Sequence, residues 1–74
     1  MKFPEFLATQ SARLGGGRIA DCQIALALGV SDRAVRQWRA GRGKPPALGM
    51  IAGAQVLLPR LKPLPPDARE YLML

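Results

Sequence analysis

The sequence predicts an all-α domain of four to five short helices. Apolar residues recur at helical spacing in every patterned stretch, Gly and Pro clusters cut the chain into helix-length pieces, and no segment alternates as a strand would. The 74 residues allow one domain, spanning 1–74. A chain of this size buries only about 60% of its unfolded surface, enough for a small core without covalent staples.

The elements follow in order. A first helix is expected over Phe3–Leu14, with Pro4 in the first turn, where a missing N–H costs nothing. Phe3, Phe6, Leu7 and Leu14 would face the core. Gly15-Gly16-Gly17 stops it. That triplet lacks a preceding strand and a following Gly-Lys-Ser/Thr, so it is not read as a nucleotide loop, although three glycines make it flexible. The second helix spans Arg18–Leu28, its surest part starting near Ala20 or Asp21. Asp21 suits either a cap or the positive end of the helix dipole. Ile24, Ala25 and Leu28 form its inner stripe, and Cys22 reads as a small filler.

Gly29 and Val30 make a turn, Gly29 because φ > 0 is needed and a side chain would clash. Ser31 is a favourable N-cap for a third helix from Asp32 to about Ala40. Ala34, Val35 and Trp38 share one face, so Trp38 is assigned to the core rather than to stacking on a base. Gly41 and Pro45-Pro46 end this stretch. A fourth helix, about Ala47–Leu58, is apolar on more than one face and is therefore either deeply buried or shared with a partner. Pro59 ends it. Residues 60–66 should be extended or turning, and 67–74 can form a last short helix that docks Tyr71, Leu72 and Leu74.

Composition excludes several functions. With one cysteine, no internal disulfide forms, and with no histidine and a lone cysteine, zinc sites and imidazole catalysis are nearly excluded. The five acids are scattered without a catalytic pairing, so an enzyme is not expected, nor any cofactor, metal or small-molecule ligand. No apolar run of spanning length and no signal peptide appear, which suggests a cytoplasmic protein not bound to membranes. The net charge of +6 points to polyanions. Five of the eleven basic residues (Arg33, Arg36, Arg39, Arg42 and Lys44) fall within twelve consecutive positions.

Residues 21–40 together read as a helix-turn-helix. Ala25 marks a close helix approach, Gly29 the turn, and Val30, Val35 and Trp38 the inner contacts, while Arg33, Arg36 and Gln37 point outward. The run IADCQIALALGVSDRAVRQWRAGRGKPP resembles the Cro/repressor-type, lambda-repressor-like domains of phage and bacterial transcriptional regulators. The resemblance rests on Ala25, Gly29-Val30-Ser31, Val35, Trp38, Gly41 and the proline after a basic loop. It implies a sequence-specific regulator of double-stranded DNA whose recognition helix, 31–40, enters the major groove. By position, Asp32, Arg33, Arg36 and Gln37 would read base edges, with Arg33 gripping guanine and Gln37 adenine. Asp32 would accept from cytosine, orient an arginine or favour the helix N-terminus. Arg18, Ser31, Arg39, Arg42 and Lys44 would contact phosphates. The family habit implies a homodimer on a palindromic operator, with the fourth helix and the C-terminal segment (47–74) as the dimer surface. The small size resembles Cro-like proteins and mobile-element autorepressors. Two other roles fit the same fold: the DNA-binding antitoxin of a toxin–antitoxin pair, and a protein-interaction module without a DNA site.

Overall fold

The computed structural model describes residues 2–65 and Asp67. The chain is all-α. Four helices follow one another, α1 (Phe3–Arg13), α2 (Gly17–Leu28), α3 (Asp32–Arg39) and α4 (Leu48–Leu57), and α4 runs on into a 3-10 turn, Leu58–Arg60. Among the described residues there is no strand. Apart from the exposed Asp67, the last helix expected over 67–74 lies outside the described residues.

The breakers act where the sequence places them. The ends of α1, α2 and α3 share one hydrogen-bond pattern, in which an N–H just past the helix reaches back to a carbonyl of the last turn. Gly16 N–H donates to Ser11 (2.7 Å), Val30 N–H to Ala25 (3.0 Å) and Arg42 N–H to Gln37 (2.7 Å). Gly29 is left-handed (φ 70°, ψ 31°). A Cβ built there would meet nothing within 4 Å, which corrects the expected clash: the backbone angle, not crowding, calls for glycine. Ser31 caps α3, its hydroxyl accepting from Ala34 N–H at 3.2 Å. Pro59 sits in the first turn of the 3-10 segment, where no N–H is needed.

One apolar core joins the helices. Leu7 and Leu14 from the α1 side, Ala20, Ile24 and Ala25 from α2, Val35 from α3, Ala54 from α4 and Leu58 are buried together. Phe3, Phe6, Leu28, Val30, Trp38 and Leu61 close its rim. α3 packs on both α1 and α2, whereas α4 meets α2. Arg13 staples the far end. Its guanidinium donates to the carbonyls of Leu61 (2.5 Å) and Leu58 (2.6 Å) and to Gln10 Oε1 (2.9 Å), which ties α1 to the segment after α4.

Of the two readings left for α4, deep burial does not hold. Only Ala54 is buried along the helix, while Leu48 (84%) and Val56 (61%) stand in solvent. α2 starts at Gly17, and Asp21, far from capping it, lies one turn inside and is buried. The chain passes the triple glycine along a path in which all three residues have positive φ. Gly16 has φ 72° and ψ 178°, a region that is essentially restricted to glycine.

Gly16→Ala tests that path. The added methyl meets nothing within 4 Å, so the whole effect is backbone strain. The expected loss is about 1–3 kcal/mol, or about 4–8 °C of Tm per kcal/mol, read by thermal denaturation. An unchanged Tm would contradict the assigned conformation.

Candidate nucleic-acid interface

α3 has two unlike sides. Val35 is its single fully buried residue, and Trp38 and Arg39, three and four positions on, share that inner side. Arg33, Arg36 and Gln37 are exposed on the other. They meet the loop after α3 in an open concavity of about 290 Å3 lined by Arg33, Arg36, Gln37, Ala40 and Arg42. Three guanidiniums thus border one hollow. Among the described residues, Arg33 and Arg42 have no acidic partner. Such a hollow repels cations and attracts an anion of extended shape.

Asp32 tempers this charge. Its carboxylate pairs with Arg36 at 3.1 Å, one turn along the helix, and its other oxygen accepts from Arg33 N–H at 3.1 Å. Both partners are well exposed (45% and 37%), so the pair contributes only about 0.3–0.5 kcal/mol. Its effect is to hold the Arg36 side chain along the helix. Of the three roles left open for Asp32, its contacts match two: it orients an arginine, and it accepts from a backbone N–H at the N-terminus of α3.

The loop is held by Trp38. The indole stacks edge-on against Phe3 (centroids 6.0 Å apart), and its Nε1–H donates to the Lys44 carbonyl at 2.8 Å. That bond ties residue 44 to α3 and leaves the Lys44 side chain exposed. Ser31 is exposed, with its hydroxyl engaged in the cap. Arg18 is exposed in the first turn of α2 and does not line the concavity.

Arg39 departs from the sequence expectation. Its guanidinium turns inward, placing Nη1 2.9 Å from Ser11 Oγ and 3.0 Å from Asp21 Oδ1, while Nη2 donates to Asp21 Oδ2 at 3.1 Å. The Asp21 side chain is only 2% exposed, and its Oδ1 accepts no hydrogen bond. A guanidinium engaged with a buried carboxylate and Ser11 has fewer donors to offer a phosphate than the sequence expectation supposed. The clue lay in its spacing, four residues after buried Val35, opposite an acid whose own phase on α2 is inward.

Burial pushes the Asp21 carboxyl above its ordinary value; Arg39 and then Arg36 pull it down, and Asp32 adds a smaller upward push. Desolvation thus outweighs the attraction of the partner, as is common for buried ion pairs.

Among the described residues, no group of three or more His, Cys, Asp or Glu side chains is placed to hold a metal ion, and no helix is long and apolar enough to cross a membrane. No protein family, curated protein or solved structure matches this chain.

A raised folded-state pKa has a definite sign in stability. The folded chain holds the Asp21 proton more tightly than the unfolded one, so this group's contribution is complete below about pH 4 and is lost as pH rises through the folded value. The wild-type stability minus that of Asp21→Asn, measured by denaturation from about pH 3.5 to about pH 7, should therefore fall with rising pH. A difference that grows with pH would mean that the ion pair stabilises on balance.

Proposed function

We propose that this chain is a sequence-specific double-stranded DNA-binding regulator of the Cro/repressor type, acting in the cytoplasm as a transcriptional repressor. In this reading α2, the turn at Gly29 and α3 form a helix-turn-helix, and α3 lies in the major groove. The observation that carries it is the convergence of Arg33, Arg36, Gln37 and Arg42 on one open hollow, opposite the buried Val35.

Each outer residue has a matching chemistry. Arg33, exposed in the first turn of α3 and without an acidic partner, offers a planar fork to guanine O6 and N7. Gln37, four residues on, offers an amide that suits adenine. Arg36, held by Asp32, reads or braces beside them. Arg42 and Lys44 neutralise phosphates without reading sequence, and Arg18 and Ser31 remain further phosphate contacts of the reading.

One such module touches few base pairs, so affinity calls for two copies on a palindromic site. α4 suits that contact: it is uncharged in a chain of net charge +6, and its outer side carries exposed Leu48 and Val56. The same side supports a second reading, an antitoxin or interaction module in which α4 clasps another protein. The two differ in what they ask of DNA, since an interaction module has no preferred duplex.

Selection of bound sequences from random duplex DNA tests the proposal, with a two-fold symmetric site as the expected result. Weak, salt-sensitive binding with no preferred sequence would leave the interaction module as the reading. On the selected site, Arg33→Ala should lose about 1–3 kcal/mol and relax preference at one base pair. Lys44→Ala should instead weaken all duplexes alike and lower the salt slope by about 1. An unchanged site profile for Arg33→Ala would remove Arg33 from the reading set.

A further inference from the structure

Three helices meet at one charged junction: Ser11 of α1, Asp21 of α2 and Arg39 of α3. The geometry points to Arg39 as a positioning residue for DNA reading, one that sets the pose of α3 through Asp21 and Ser11 and touches no phosphate. This inference rests on the DNA-binding reading above and adds to it the group that aims the reading side chains.

Beyond its packing on α1 and α2, α3 has few directional anchors. The helix has eight residues and one fully buried side chain, Val35. Apolar burial is non-directional, so a short rod on one apolar peg can still roll about its axis. Trp38 adds a rim contact on Phe3. Arg39 adds direction. Nη2 donates to Asp21 Oδ2 (3.1 Å) while Nη1 donates to Ser11 (2.9 Å) and lies 3.0 Å from Asp21 Oδ1, so the roll of α3 is referred to α1 and α2 together. Bidentate base contacts fail within a few tenths of an ångström of their proper length, so this roll decides whether Arg33 and Gln37 reach their bases.

Nor is the junction an economical source of stability. Asp21 is nearly inaccessible to water, one of its oxygens is left without a hydrogen bond, and burial raises its carboxyl pKa despite the adjacent cation. Swinging Arg39 out to a phosphate would strand that carboxylate without its hydrogen-bonded cation. A pair that is poor at stabilising and good at orienting is what a positioning role requires.

Arg39→Lys separates the possibilities, because it keeps the positive charge and loses the fork. The full-length variant is titrated with the selected duplex and a scrambled one over a salt series, at a temperature where circular dichroism shows it folded. The expected result is about tenfold weaker binding to the selected duplex, with the scrambled duplex and the salt slope unchanged. A phosphate-contacting Arg39 predicts near wild-type binding to both, since lysine also serves a phosphate, and a purely structural Arg39 predicts wild-type discrimination; either result overturns the inference. If Arg39→Lys does not fold, the double variant Asp21→Asn with Arg39→Gln, a neutral pair, carries the test through its salt slope. The wild-type slope is expected, and one shallower by about 0.9 overturns the positioning role. A wild-type chain without any preferred duplex would instead defeat the DNA-reading assignment, and this role with it.

Discussion

An eight-residue helix does not persist alone in water, because the nucleating turn is unfavourable and too few hydrogen bonds follow it. α3 therefore exists only because its surroundings hold it. Ser31 caps its first turn, the return at Gly41 and Arg42 closes its last, and Val35 sinks into a core shared by α1 and α2. Every other property of the molecule bears on this segment. The left-handed step at Gly29 sets the angle at which the chain enters it, and the bond from Trp38 to Lys44 sets the angle at which the chain leaves.

Holding α3 by one side frees the other. The inner side is occupied by Val35, Trp38 and Arg39, so Arg33, Arg36 and Gln37 must face solvent. Arg33 and Arg36 keep their charges in water there, with no desolvation to offset. The one ion pair among them, Asp32 with Arg36, is exposed and weak. Arg39 belongs to the same basic run but lives under different physics. At this part-buried junction its charge is answered by Asp21, and both terminal nitrogens are engaged. Two arginines three residues apart thus differ in kind: Arg36 is available to a ligand, and Arg39 is part of the frame.

The contrast between α3 and α4 follows from the same accounting of faces. α4 is apolar around much of its circumference, yet a core of this size has room for only one of its sides. Leu48 and Val56 remain outside as a result. The molecule thus offers one strongly basic surface and one neutral apolar surface on separate helices. That division underlies the proposed pairing of a DNA-reading side with a protein-contacting one.

The helix boundaries were legible in the residues because their causes are local. Gly15, Gly29 and Gly41 follow the ends of α1, α2 and α3, Ser31 caps by its own hydroxyl, and the spacing of Leu7, Ile24 and Val35 shows which side turns inward. The exposed identity of Arg33, Arg36 and Gln37 follows from the same phase. What no local pattern encodes is which distant group a side chain meets. Arg39 finds Asp21 18 positions away and Ser11 28 away, and Arg13 reaches Leu58 and Leu61 across 45 and 48 positions. Those pairings arise only when helices pack, because an unfolded chain keeps such groups solvated and far apart. That is why the basic run looked uniform in one dimension and proved divided in three, with one of its members turned inward to a carboxylate.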